Sequence, residues 1–375
     1  MFDGDFFYKY CPILSISPSE MKALKELPEK DKDLILPVFP LKSWVGSKEL
    51  KNSIDRVELS IGKDRKWIAD IDYDSLSKQP REKYRDVHYQ IERLTKSQNG
   101  YRNWCDFIRS QENIVPCLQT GDLNEFDVQL HVLRSLNRGV VVIFKVPDLE
   151  MRVYEEVLTK LVGVEDLLVM IDLGQISREH VELKDSILGY LIAVRAILPN
   201  AILSLSSTSF PTSFGGYYKG VNTIYERALY DKLRIDIEDL IYSDRGSARL
   251  SDNSGGGGTP PPRIDYPCRN EWKFVRLEFS EENSFLEKND KSVALKEEKK
   301  ELYTVIAKTI MAEPYWESDL KLWANYIIEL TAKGDDYGIY SAQTATAARI
   351  NKHLHTQLYY DSLDEMGNTD EDWED

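Results

Sequence analysis

The 375-residue chain carries 63 acidic against 48 basic residues, a formal net charge of −15. That balance argues against holding nucleic acid through a general basic surface, because phosphate contacts need clustered Lys and Arg. An apolar fraction of 42% supports a sizeable core, and no apolar run approaches the ~20 residues that span a bilayer.

The N-terminus lacks the basic-then-apolar order of a secretory signal. The four cysteines (Cys11, Cys105, Cys117, Cys268) show no Cys-x-x-Cys spacing and read as free thiols of a reducing, cytoplasmic setting. Eight short apolar runs then follow in order: Pro12–Ile16, Ile35–Pro40, Trp67–Asp72, Ile114–Leu118, Val140–Val146, Leu167–Leu173, Ala201–Ser206 and Asp239–Asp244. Such runs, rich in Ile, Val and Leu without polar alternation, describe strands buried on both faces.

Between the first two runs, Ser17-Pro18-Ser19-Glu20 followed by Met21, Ala23, Leu24 and Leu27 makes a capped helix. Pro37 and Pro40 in the second run call for bulged or edge positions. Residues 46–66 read as a short helical or hairpin insertion, and Leu76–Ser110 as polar and helical. Val140–Phe144 leads into Lys145, after which Pro147-Asp148 opens a helix reaching about Val162. Leu167–Ile171 leads into Asp172, with a helix from about Ser177 to Leu198. Eight strands alternating with helices give an α/β chain and a TIM-like (β/α)8 barrel over residues 1–250, whose chemistry belongs at the C-terminal ends of its strands.

Residues 251–262, with four glycines and three prolines, form a flexible loop. Across 263–358, Arg263–Tyr266 and Trp272–Phe279 alternate as a β-hairpin. A helical extension follows at Lys296–Met311, Ser318–Lys333 and Ser341–Gln357, packed on the barrel. Residues 359–375 are mostly acidic and read as a disordered tail.

A barrel would gather its strand ends at one mouth: Asp70 and Asp72, Gln119 and Thr120, Lys145, Asp172, Ser207 and Ser209, then Asp244. Carboxylates held close bind a divalent cation or divide acid and base roles. Asp70 and Asp72 are therefore the metal candidates, and alternation along the strand admits only one of them to the interior. A divalent metal is compatible with this set and not required by it. A lysine among them can neutralise a phosphate. Against a functional reading, every barrel mouth is polar, and Asp often caps the helix after a strand. Lys145 and Asp172 stand out because each ends an otherwise apolar run.

Arg349 and His353 form a second set, four residues apart on one face of a helix over Ala348–His355. His353 and His355 splay about 200° apart on that helix, so they do not chelate together, and packing is the plain alternative for all of them. No Walker loop, Gly-x-Ser-x-Gly elbow, His-Glu-x-x-His or Rossmann glycine fingerprint occurs.

A succession of short motifs is similar to the phage "beta protein" family. They are Tyr10-Cys11-Pro12-Ile13-Leu14 with Glu20 and Ala23-Leu24, Ile171-Asp172-Leu173-Gly174, Ser207-Thr208-Ser209-Phe210-Pro211, and Asp244 with Gly246. Arg263–Tyr266 before Glu271-Trp272, and Arg349-Ile350-Asn351-Lys352-His353-Leu354, complete the order. The resemblance implies a phage, prophage or bacterial source and a barrel-like fold. Because some members sit in small anti-phage defence modules beside a toxic partner, it also implies a defence or toxin-restraining role; it supplies no reaction. This chain departs from the family at Pro40, where an acidic residue is usual, at Lys145, where Arg is usual, and at Arg245, where an aromatic is usual.

The expectation is a cytoplasmic defence protein that binds a phage-derived or cellular ligand, or a partner protein, through the barrel mouth. Lys145, Asp172, Ser209, Asp244, Arg349 and His353 are its ligand-binding residues, and no catalytic residue is assigned. Two other classes fit the same residues. One is a metal-dependent hydrolase of phosphodiesters or nucleotides, using Asp172, Asp244 and Asp70 or Asp72. The other is a scaffold that restrains a toxic partner by surface contact.

Overall fold

The apolar runs become parallel strands because their side chains are buried on both faces. In the computed structural model the described residues are 7–146, 154–211, 218–250, 260–280, 288–362 and 366, with side chains of the fifth stretch described from 295. The expected helix start at Pro147-Asp148, residues 251–259 of the Gly/Pro-rich segment and nearly all of the tail beyond 362 lie outside them. Ten strands are present among the described residues. They are β1 (Val38–Leu41), β2 (Trp67–Ile71), β3 (Ile114–Pro116), β4 (Val140–Lys145), β5 (Leu167–Gln175), β6 (Ile202–Thr208), β7 (Lys219–Thr223), β8 (Ile241–Tyr242), β9 (Arg263–Pro267) and β10 (Glu271–Arg276).

The chain divides into two units, the first made of Met1–Ser17, Lys32–Ser209 and Tyr225–Gly246, the second of Pro18–Asp31, Phe210–Ile224 and Ser247–Asp375. In the first unit, parallel sheets run in the orders β1-β2-β3 and β4-β5-β6-β8. Single parallel bridges extend these pairings: Cys117 with Val141, Tyr10 with Ile35, Ile13 with Val38, and Tyr10 with Tyr242. The segment at Tyr10–Leu14 thus bonds on one side, where Leu36 N donates to Tyr10 O at 3.0 Å, and on the other, where Ile13 N donates to Asp244 O at 2.8 Å.

One cluster of buried side chains draws on all these segments: Cys11 and Ile13, Leu36 and Val38, Ile68, Val115 and Cys117, Val141, Leu168 and Met170, with Ile202 and Ile241 against them. Burying each such aliphatic side chain contributes roughly 1.5–3 kcal/mol. β2 is buried at every position and β5 at eight of nine, the burial of a strand covered on both faces. Pro40 sits within β1, opposite Asp70 of β2. Val38 N donates to Pro12 O, and alternation turns the donor-less nitrogen of Pro40 the same way. It lies beyond the last bridge on that side, an edge that tolerates proline.

The insertion at 46–66 holds a helix, Lys51–Ile61, and the polar stretch that follows resolves into helices Tyr73–Lys78, Asp86–Leu94 and Gln98–Arg109. The helix expected from Ser177 to Leu198 is two, Arg178–Glu182 and Lys184–Ile197. In the second unit the hairpin β9–β10 gains a third antiparallel strand, giving the order β7-β10-β9. Its helices are Pro18–Lys25, Lys288–Met311, Trp323–Lys333 and Ala342–Leu358. The last is buried at every position from Ala347 to Leu358, and Asn351 Nδ2 ties it to Ala23 O at 3.0 Å. Among the described residues no helix is long and apolar enough to cross a membrane.

Candidate functional site

Chain segments at and just beyond the C-terminal ends of β2, β3 and β4 meet in one place. A cavity of about 550 Å³ opens there, its wall including Asp70, Tyr73, Tyr101, Gln119, Lys145 and Tyr154. Lys145 is the last residue of β4, half-exposed, with Nζ 3.9 Å from Oδ2 of the buried Asp70. Burial works against the ammonium, but the carboxylates of Asp70 and Asp172 outweigh it and hold Lys145 above its ordinary value.

The other side of Asp70 is set by Gln119. Tyr73 donates its hydroxyl to Gln119 Oε1 at 2.6 Å, which turns Nε2 toward Asp70 Oδ1 at 3.4 Å. The Gln119 backbone is clamped by the Gln129 amide, at 2.8 Å on its N–H and 2.9 Å on its carbonyl. Burial, then the charge of Asp70, raises the Tyr73 hydroxyl, so it stays a donor. The Tyr154 hydroxyl bonds the backbone of Lys145, donating to its carbonyl at 3.0 Å. Cys117 also lines the cavity, and burial pushes its thiol far up, which removes thiolate reactivity.

Tyr101 reaches the cavity through an unusual backbone. Asn99, Gly100 and Tyr101 take φ of 55°, 67° and 53°, a left-handed run that costs of order 1–3 kcal/mol per non-glycine residue. At Gly100 a Cβ would meet Val128 Cγ1 at 2.4 Å. The Tyr101 hydroxyl accepts from Asp122 N at 2.7 Å, which fixes the ring at the cavity wall.

The other residues expected at the mouth take different places. Asp172, in register with Lys145, accepts from Gly174 N at 3.1 Å and from the guanidinium of Arg245. Asp72 caps the helix Tyr73–Lys78, accepting from Ser75 N at 2.8 Å and Ser75 Oγ at 2.6 Å. Asp244 is fully buried: Oδ1 accepts from the Tyr10 hydroxyl and from Gly246 N at 2.7 Å, Oδ2 from the Tyr242 hydroxyl at 2.9 Å. Ser209 donates through both N and Oγ to Glu226 Oε2, and its Oγ accepts from Tyr225 N at 2.9 Å. Burial, then the nearby Asp244, pushes the Glu226 carboxyl up to about 8, and the Arg227 guanidinium lies 3.5 Å over the Tyr242 ring.

Arg349 and His353 belong to the second unit. Arg349 Nη1 donates to Asp265 Oδ2 at 2.8 Å, and His353 is buried with its ring stacked on Trp272. The structure therefore joins Lys145 to Asp70 and places Asp172 near them. It bonds Ser209 to the buried Glu226, whose carboxyl feels the charge of Asp244, and neither Ser209 nor Asp244 lines the cavity. Among the described residues no group of three or more His, Cys, Asp or Glu side chains is placed to hold a metal ion.

Sequence reasoning gave no site role to Tyr73, Tyr154, Arg245 or Glu226. Only Glu226 left a signal: it shares the buried face of the helix Tyr225–Leu233 with Leu229, Tyr230 and Leu233, a carboxylate at a core position.

The family model described as Beta protein matches residues 10–359. A relative named Protein beta, from Enterobacteria phage P4, is 28% identical over 365 residues, covering 94% of this chain and 93% of its own. No solved structure matches this chain.

Proposed function

This chain belongs to the Beta protein family, and we propose that it is a binding protein of an anti-phage defence module. It recognises an anionic group of a phage-derived or cellular ligand, in a cavity at the strand ends of a closed (β/α)8 barrel. The return of pairing from Tyr242 to Tyr10 supports closure. A TIM-like barrel puts its site at the C-terminal ends of the strands, the position of Lys145 and Asp70.

The observation that carries the reading is the Asp70–Lys145 pair in the cavity wall. The ammonium is charged and half-exposed, so an incoming anion meets it without first breaking a tight buried bridge. Asp70, oriented by Gln119 and Tyr73, aims it. The tyrosine rings supply flat, partly apolar walls for the rest of the ligand.

The same geometry disfavours the hydrolase reading. Asp244 spends both oxygens on Tyr10, Tyr242 and Gly246, and Asp172 spends its own on Gly174 and Arg245. The test is to purify wild-type protein and Lys145→Gln from infected and uninfected cells and identify copurifying small molecules by mass spectrometry. A species retained by the wild type and absent from the variant supports the reading. Identical profiles sink it.

A further inference from the structure

In the second unit, three guanidinium groups gather near one carboxylate. Arg263 holds Nε 2.9 Å from Asp265 Oδ1 and Nη2 3.1 Å from Oδ2. Arg349 Nη1 lies 2.8 Å from the same Oδ2, and its guanidinium is 4.1 Å above the ring of Phe210. Arg249 Nε donates to the carbonyl of the next residue, Pro211, at 3.2 Å. Arg349 and Arg249 therefore grip consecutive residues of one segment. Glu20 also acts on Arg349, less strongly than Asp265 does.

We propose that Arg249, Arg263 and Arg349 form an anion site that takes the phosphate group of a ligand. Among these five groups, three guanidinium cations stand against the two carboxylates of Asp265 and Glu20, one positive charge in excess. Arg349 Nε is buried and has no hydrogen-bond partner among the described residues. Burial, then the like charge of Arg263, lowers Arg249, and burial does the same to Arg349. A tetrahedral dianion supplies more charge than a carboxylate and presents acceptors to several N–H groups at once, which suits guanidinium forks. Asp265 already serves as the planar partner. The site lies within the second unit and does not rest on the Lys145 cavity.

The test is calorimetric titration of the full chain with inorganic phosphate and, at matched ionic strength, with acetate. Phosphate is expected to bind at least about tenfold more tightly than acetate. Arg249→Gln, at a half-buried position, should weaken phosphate at least about tenfold and leave the phosphate-free melting temperature nearly unchanged. Arg349→Lys, which keeps charge and loses the fork, should weaken it too. Lys145→Gln separates this site from the cavity of the first unit, and the part of phosphate binding that depends on Arg249 should persist in it. The proposal is overturned by no phosphate binding to the wild type, by equal response to acetate, or by Arg249→Gln binding phosphate like the wild type. Loss of phosphate binding in Lys145→Gln alone would place the anion in the other cavity and overturn it as well.

Discussion

Lys145 of β4 and Asp70 of β2 face each other at 3.9 Å across the end of β3. The separation is too long for a tight bridge and short enough to hold the ammonium in position. With the ammonium half-exposed and 3.9 Å away, the pair falls near the ~0–1 kcal/mol of surface ion pairs, and its loss should cost the fold little.

The charge on Lys145 depends on that neighbour. With Asp70→Asn, burial loses its main opposition, and the ammonium titrates at lower pH than in the wild type. Nitrogen-detected NMR of the lysine side chains reads the change directly. An unshifted Lys145 titration would mean that Asp70 does not set its charge.

Asp244 is a structural acceptor in this account. Asp244→Ala leaves the Tyr10 and Tyr242 hydroxyls and Gly246 N without their acceptor, at a cost of at least about 3 kcal/mol. Urea denaturation measures it. A loss below about 1 kcal/mol would show that the network repacks freely.

Glu226 gives a pH dependence with a definite sign. Its folded value of about 8 lies above its ordinary 4.5, so the folded state holds the proton more tightly. Its contribution is fully present below pH 4.5 and is lost as pH rises toward 8. The local slope is about −1.4 kcal/mol per pH unit while only the folded state is protonated. Glu226→Gln keeps the acceptor for Ser209 and cannot ionise. The variant should therefore gain stability relative to the wild type between pH 5 and pH 9, read as a widening gap in urea midpoints. Parallel curves would remove the buried-carboxyl assignment.

Gly100 tests the backbone that carries Tyr101 to the cavity. Gly100→Ala adds a Cβ 2.4 Å from Val128 Cγ1 at φ 67°, and should destabilise by roughly 1–3 kcal/mol beyond the conformational term. Gly163→Ala is the control, because φ there is 77° and nothing lies within 4 Å. Equal losses in the two variants would show that the Val128 contact yields without cost.

Much of the parallel framework could be read in the sequence because continuous Ile/Val/Leu runs such as Val140–Phe144 and Leu167–Ile171 carry their own burial signal. Lys145 and Asp172 were visible for the same reason, as charges ending such runs. What stayed hidden depends on distant partners. Tyr10 reaches Asp244 across 234 residues, so an aspartate with the look of a mouth ligand is a core acceptor. β7 is polar, with no buried position, and pairs with β10 from the far side of a glycine-rich segment; nothing local announces it. Tyr73 and Gln119 meet only because two strand ends converge, a relation that no spacing encodes.

The central claim is that the charge of Lys145 at the cavity mouth is what this protein uses to recognise its ligand. Phage plating efficiency on cells expressing equal amounts of wild type, Lys145→Gln and Lys145→Arg tests it most directly. The account predicts protection by the wild type and by Lys145→Arg, and at least about a tenfold loss of protection in a folded Lys145→Gln. Full protection by Lys145→Gln would contradict it.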